Sequence, residues 1–293
     1  MKLLSWVKGT LAKGDRSEKE VSPEPQPEPV VPQASVLDAY VKTSPSPQTA
    51  LDIFQGEWGS ALPAPFAHLK AGVWELFNDD RIHWFFKEIG GVEGKSVLEL
   101  GPLEGGHTYM LEKAGAAEIL SVEANTRAFL KCLIVKELLE MRYARFLCGD
   151  FLEFLREEEL SFQVCLASGV LYHMQNPAEL ISLLARRCSE YLLLWTHYYD
   201  ASLILNSPWA SKFNGSFEHE YQGFHHTLHR QEHQASLDFA GFCGGNAPTS
   251  CWMTRADILR CLDHFGFELL GINFDTPNPN GPCFALVARR RSS

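Results

Sequence analysis

Five stretches of this chain place acids, glycines, histidines and tyrosines where they could work on a nucleoside. The first is Ser96-Val-Leu-Glu-Leu-Gly-Pro-Leu-Glu-Gly-Gly-His-Thr108, an apolar run ending in Glu99, with Gly101 two residues on and Gly105 four beyond that. Glycines at such a turn allow positive φ and let a ligand approach the backbone. The spacing Glu-x-Gly-x-x-x-Gly is neither the Gly-x-Gly-x-x-Gly of dinucleotide sites nor the Gly-Lys-Ser/Thr of a phosphate loop. The second stretch ends in Glu123, 24 residues after Glu99. An acid at the end of a second strand is placed to accept hydrogen bonds from ribose hydroxyls. The third is Cys148-Gly-Asp150-Phe151. The fourth is Ala167-Ser-Gly-Val-Leu-Tyr-His-Met-Gln-Asn-Pro177, which carries Ser168, Tyr172 and His173. The fifth, Leu194-Trp-Thr-His-Tyr-Tyr-Asp200, adds His197 and Tyr199. Histidine and tyrosine side chains can take a proton from an acceptor nucleophile, so Tyr172, His173, His197 and Tyr199 are the acid/base candidates.

These residues need elements to hold them on one edge. Strand-like apolar runs are predicted at 96–100, 118–123, 144–148, 162–168, 191–196, 267–274 and 283–288. Between them, residues 126–140 repeat apolar side chains at Phe129, Leu130, Leu133, Ile134 and Leu138, a helical period. Residues 177–188 and 255–265 read the same way, and a helix follows the first glycine loop at 108–114. Strands alternating with helices imply an α/β domain: a Rossmann-like, seven-stranded, mostly parallel sheet with helices on both faces. Each candidate then falls at the carboxyl end of a strand, where ligands bind in open α/β folds.

The ordered set resembles the class I S-adenosylmethionine-dependent methyltransferases over roughly residues 90–290. The resemblance implies S-adenosylmethionine as cofactor, bound by Glu99, Gly101, Gly105, Glu123, Asp150, Phe151 and Ser168. Asp150 would meet the adenine amino group, with a neighbouring apolar residue against the ring. Glu99 would contact the ligand directly or organise the loop near its methionine part. Val170-Leu-Tyr-His173, with the helix at 129–139, looks especially like the bacterial enzyme that completes wobble-uridine modification in tRNA with carboxy-S-adenosylmethionine. The first loop, however, reads Gly-Pro-Leu-Glu-Gly rather than Gly-Cys-Gly-Ser-Gly. The expected function is methyl transfer to a small-molecule, glycan or metabolite acceptor. The alternatives are tRNA modification and a non-catalytic module that binds the same cofactor.

Residues 200–250 interrupt the α/β alternation and are rich in His, Gly, Phe and Asn. They are expected to form a loosely packed lid over the pocket. His225, His229 and His233 are spaced by four and would share one face of a helix, a spacing that can bind zinc. No Cys-x-x-Cys or His-Glu-x-x-His frame accompanies them, and no metal site is expected.

Residues 1–14 suit a short amphipathic helix that could make peripheral contact with a membrane surface or dock on a partner. Residues 15–54 are expected to be a disordered linker, with Pro at every second position from Ser22 to Pro29. Residues 55–293 form the catalytic domain in this reading. The net charge is −10, and residues 1–50 hold six charges of each sign, so the acidic excess lies in 51–293. That balance disfavours broad contact with a phosphate backbone. No apolar run is long enough to span a bilayer. The eight scattered cysteines, without a Cys-x-x-Cys pair, suit a reducing, cytoplasmic setting without disulfides.

Overall fold

The computed structural model describes residues 40–291 except 235, 237–243 and 246. The segment 1–14, expected to form an amphipathic helix, and most of the stretch expected to be a linker lie outside the described residues. The described residues from Val41 onward form one compact unit.

Seven strands, in the order β3-β2-β1-β4-β5-β10-β9, make the main sheet. They are β1 (Ser96–Leu100), β2 (Glu118–Glu123), β3 (Ala144–Cys148), β4 (Phe162–Ser168), β5 (Cys188–His197), β9 (Phe267–Asn278) and β10 (Gly281–Arg290). The first four have the bounds expected from the apolar runs, and the last three extend beyond them. β1 to β5 pair in parallel, while β10 runs antiparallel to both β5 and β9. Alternate residues along the central strands are buried in turn, such as Val97 against Leu98 and Leu193 against Leu194. Such strands are covered on both faces.

The helices are α1 (Pro47–Leu51), α2 (Asp80–Ile89), α3 (Gly106–Lys113), α4 (Thr126–Leu138), α5 (Phe151–Glu157), α6 (Pro177–Arg187), α7 (Ala201–Ile204) and α8 (Arg255–His264). One core cluster joins Leu155 of α5, Leu180 and Leu184 of α6, and Ile258 and Leu262 of α8 to Leu98, Leu120 and Leu194 of the sheet. Asn125, Asp150, Asn176 and Thr254 each cap a helix by accepting a backbone N–H, which lets the chain turn cleanly from strand or loop into helix.

Two expectations are corrected. Residues 47–54 are not linker: α1 and the 3-10 turn at 52–54 bury Leu51 and Phe54 completely, and an apolar pair of that size gains more from burial than a polar tether would. The described residues of 200–250 are not a loosely packed lid, nor do His225 and His229 lie on a helix. β6 (Phe213–Tyr221), β7 (Phe224–Glu232) and β8 (Thr249–Trp252) form a second, antiparallel three-stranded sheet. A spacing of four returns to one face in a strand as well as in a helix, so the histidine pattern suited both. Phe224 and Leu228 of β7 and Cys251 of β8 bury their side chains in the main core cluster. The small sheet is also tied to the main one by Cys251 N–H donating to the Met174 carbonyl (2.8 Å) and Tyr199 N–H donating to the Met253 carbonyl (2.9 Å).

Candidate functional site

The site is built on the carboxyl ends of β1 to β5. After β1 the chain turns through Gly101 at φ +65° and Gly105 at φ +76°, and Leu103 between them also adopts a positive φ of 57°. Gly101 donates its N–H to the Val122 carbonyl (2.9 Å), which pins the loop to β2. A Cβ on Gly101 would lie 2.7 Å from Cγ1 of Val170, so the residue must be glycine for both conformation and space. Gly106, the first residue of α3, is held to glycine by space alone, since a Cβ there would lie 2.6 Å from the Leu76 carbonyl oxygen.

Glu123 ends β2 and turns its carboxylate onto this loop. It accepts the Leu103 N–H (3.1 Å) and the Asn125 N–H (2.8 Å). Burial raises its pKa above the ordinary carboxylate value against the pull of these two amides. Asp150 caps α5 through the Leu152 N–H (2.7 Å) and stays exposed beside the end of β3, where Gly149 donates to the Glu123 carbonyl (3.0 Å). Ser168 closes β4 at half-exposure. The structure thus brings Gly101, Gly105, Glu123, Asp150 and Ser168 to one edge.

Two residues of the expected set take other places. Glu99 is buried and accepts hydrogen bonds from the hydroxyls of Thr108 and Ser121, tying β1 to α3 and β2. Burial pushes its carboxyl up, with the nearby His107 opposing. This is an organiser of the loop's foundations rather than an exposed ligand contact. Phe151 packs into the core cluster with Leu155, so the apolar residue following Asp150 supports α5 instead of presenting its ring at the edge.

The expected acid/base residues do gather. The rings of Tyr172 and His173 are 4.1 Å apart, and Tyr172 meets His197 edge-on at 4.7 Å. His197 stacks on Trp252 of the small sheet (5.3 Å, 10°) and lies 3.2 Å through Nδ1 from the carbonyls of both Gly281 and Pro282. Those acceptors place the proton on Nδ1 and leave Nε2 with its lone pair. Burial lowers the pKa of His197, and burial with His233 and His197 nearby lowers that of His173 to about 3. Both rings are neutral at pH 7. Tyr199 instead stacks on His229 (3.6 Å, 9°) and holds the small sheet. His233 approaches His173 with ring centroids 6.1 Å apart, while His225 is exposed.

Sequence reasoning missed two clusters that frame the loop. Glu104, within the glycine loop, is buried and faces away from the edge. Its carboxylate accepts the N–H groups of Gly59 (2.9 Å) and Ser60 (2.8 Å) and pairs with the buried Lys131 of α4 (3.1 Å). Lys131 itself lies over the rings of Trp58 and Phe54. A lysine in the stripe Ala128, Lys131, Cys132, Val135 was the signal, because it stands at a position facing the interior. The second cluster is Asp79, which caps α2, pairs with Arg81 and receives Nε2 of His107 from α3 (2.9 Å). Burial works against its charged form, but the hydrogen bonds from His107 and Arg81 prevail and hold the carboxyl well below its ordinary range.

Beside this cluster a cleft of about 620 Å³ opens between the start of α2, Trp195 of β5 and the β9–β10 pair. The Arg81 guanidinium lies 4.6 Å over the Trp195 ring.

No family model matches the sequence, and no curated protein matches it. Solved structures do. The N-terminal domain of EvdMO1, crystallised with S-adenosylhomocysteine, superposes with a TM-score of 0.60 at 21% identity, over 84% of this chain and 95% of that one. The same domain was also crystallised in the presence of D-fucose (TM-score 0.59, 20% identity, again 84% of this chain and 95% of that one). Magnesium protoporphyrin IX methyltransferase from Synechocystis PCC 6803 is similar at a TM-score of 0.50 and 17% identity, over 73% of this chain and 81% of that one. The chain has the fold of the S-adenosylmethionine-dependent methyltransferases.

Proposed function

We propose that the protein is an S-adenosylmethionine-dependent methyltransferase acting on a small-molecule acceptor. The observation that carries this is the alignment of Gly101, Glu123, Asp150 and Ser168 on one edge of the sheet, across the point where strand order reverses between β1 and β4. The donor set fits the cofactor. Glu123 supplies a carboxylate for vicinal hydroxyls beside a loop that only glycine can follow at Gly101, and Asp150 offers an exposed acceptor for an amino group. When bound, S-adenosylmethionine supplies an electrophilic methyl carbon on a sulfonium.

The chain's own residues then have three tasks. The loop 101–105, held from behind by Glu104 and Glu99, fixes the binding edge. The small sheet covers the ends of β4 and β5 and keeps water from the reacting atoms. His197, neutral and with its Nδ1–H directed by two carbonyls, is the group to accept a proton from a hydroxyl or amine nucleophile, and Tyr172, itself packed on His173, holds it in place by ring contact. Solved neighbours whose names specify a small-molecule methylation, such as Burkholderia thailandensis 1,6-didemethyltoxoflavin-N1-methyltransferase (12% identity, TM-score 0.50, 74% of this chain and 79% of that one), support the acceptor class.

The test is incubation of a small-molecule extract, and separately of bulk tRNA, with the protein and methyl-labelled S-adenosylmethionine, read by mass spectrometry. A labelled small molecule supports the reading. A label confined to tRNA moves the function to RNA modification. Binding of the cofactor with no label anywhere makes the protein a binding module.

A further inference from the structure

We propose that the cleft between α2 and the β9–β10 pair is the acceptor subsite, and that it takes a neutral or amino sugar. This rests on the methyltransferase reading for the acceptor's role, though not for the cleft's chemistry. The cleft borders the reacting edge. Trp195, its inner wall, is the register partner of Ser168 at the end of β4, and a Cβ on Gly169 would lie 3.7 Å from the Trp195 ring. Tyr172 and His197 both meet the same ring edge-on, at 6.0 and 5.2 Å. A ligand seated there is therefore one side chain away from the acid/base group.

The walls specify the ligand. Three aromatic residues, Trp74, Trp195 and Phe274, line the space, and Trp74, its ring lying against Gly59, is 58% exposed. Trp74 and Phe274 offer the aromatic faces that stack against the C–H face of a pyranose, while Trp195, covered by Arg81, forms the back wall. Around them stand groups that exchange hydrogen bonds with hydroxyls: Asn78, Thr276 and Asn278, all in the lining. A ligand with one apolar face and a polar rim satisfies both sets.

Charge narrows the class. The lining holds three carboxylates, Glu75, Asp79 and Asp80, against one cation, Arg81. Arg81 is already committed: its Nε lies 3.0 Å from both Asp79 oxygens, and its guanidinium covers Trp195. Asp79 is in turn fixed by His107, so this pair is a neutral, preset wall rather than an anion receptor. Glu75 and Asp80 remain as exposed negative charges. A phosphorylated sugar or a uronate would be repelled, whereas hydroxyls and an ammonium would be welcomed. In the transfer, the sugar hydroxyl oxygen bonds to the methyl carbon as the sulfonium C–S bond breaks, S-adenosylhomocysteine departs, and the hydroxyl proton passes to the neutral imidazole.

Saturation-transfer NMR on the full chain tests this, using D-fucose, D-glucosamine, D-glucuronate and glucose 6-phosphate, each with and without S-adenosylhomocysteine. The expected result is transfer to the neutral and amino sugars, none to the two anions, and a loss of at least fivefold in Trp74→Ala and Phe274→Ala. Both variants should keep wild-type affinity for S-adenosylhomocysteine by calorimetry, which separates damage to the cleft from damage to the fold. Transfer to no sugar, equal transfer to the anions, or transfer unchanged in both variants overturns the assignment. Failure of S-adenosylhomocysteine to bind, with sugar transfer intact, removes the methyltransferase reading and leaves the sugar site standing.

Discussion

At the scale of single residues, the site depends on one carboxylate and one glycine. Glu123 holds the loop through the amides of Leu103 and Asn125, and in the proposed function it also receives the ribose hydroxyls. Glu123→Ala should weaken S-adenosylhomocysteine binding by about 1–3 kcal/mol, since charge-assisted hydrogen bonds are lost and two amides are left to water. Calorimetry on both proteins decides it, and equal affinities would remove Glu123 from the site. Gly101→Val should abolish binding. A β-branched residue at φ +65° is strained, and its Cβ would stand 2.7 Å from Val170, so the loop and Val170 cannot both keep their places. Circular dichroism checks that the variant still folds; a folded variant with normal affinity would show that the loop does not cradle the ligand. Both residues were legible in the sequence, because a strand-end acid and a turn glycine leave local signals. The roles of Glu99 and Phe151 were not. Whether a side chain beside a site turns outward or inward is set by strand alternation and by partners such as Thr108 and Ser121, which no short motif encodes.

At the scale of elements, the glycine loop is held from outside by a segment that local patterning does not reveal. Glu104 and Lys131 form a buried pair that also satisfies the amides of Gly59 and Ser60, so α4, the loop and residues 57–60 share one polar knot. Removing one member leaves a buried charge. Glu104→Ala should destabilise the protein by about 3–5 kcal/mol, while Glu104→Ala combined with Lys131→Met should recover part of that loss. Urea unfolding of the three proteins measures it; a single variant within 1 kcal/mol of wild type, roughly the yield of a surface pair, would mean the knot is solvated. The same comparison explains what the sequence could and could not say about elements. β1 to β4 were readable to the residue because buried parallel strands are short apolar runs bounded by turns. The small sheet was not, because β6 is largely exposed and β7 carries only two apolar residues, Phe224 and Leu228, among polar ones, with histidines spaced in a way that suits helix or strand equally.

At the scale of the whole molecule, burial of histidines between the two sheets makes the fold sensitive to acid. His173, His197, His226, His229 and His233 all have pKa values lowered by burial, His173 to about 3. A histidine with a folded value below its unfolded value of about 6.5 binds a proton in the unfolded chain first. Its contribution to stability is complete above pH 6.5 and falls as pH drops toward the folded value. Each such group removes about 1.4 kcal/mol per pH unit within its window. Asp79 acts in the same direction, but its carboxyl is held below its ordinary value, so its loss begins only in the range below about pH 4. Glu99 and Glu123 act oppositely: their raised values mean that the folded state binds protons first, and they offset part of the histidine effect as the pH falls toward 4.5. The net slope of the wild type is therefore a balance, whereas the difference between two proteins isolates one group. His173→Gln keeps a polar side chain but cannot titrate. Between pH 6 and 4 the wild type should lose about 1.4 kcal/mol per unit more than this variant, although the variant starts less stable at pH 7. Urea unfolding at pH 7, 6, 5 and 4 measures both curves. Parallel curves would show that His173 takes up its proton as readily in the folded protein as in the unfolded chain, and that the two sheets part there to admit water.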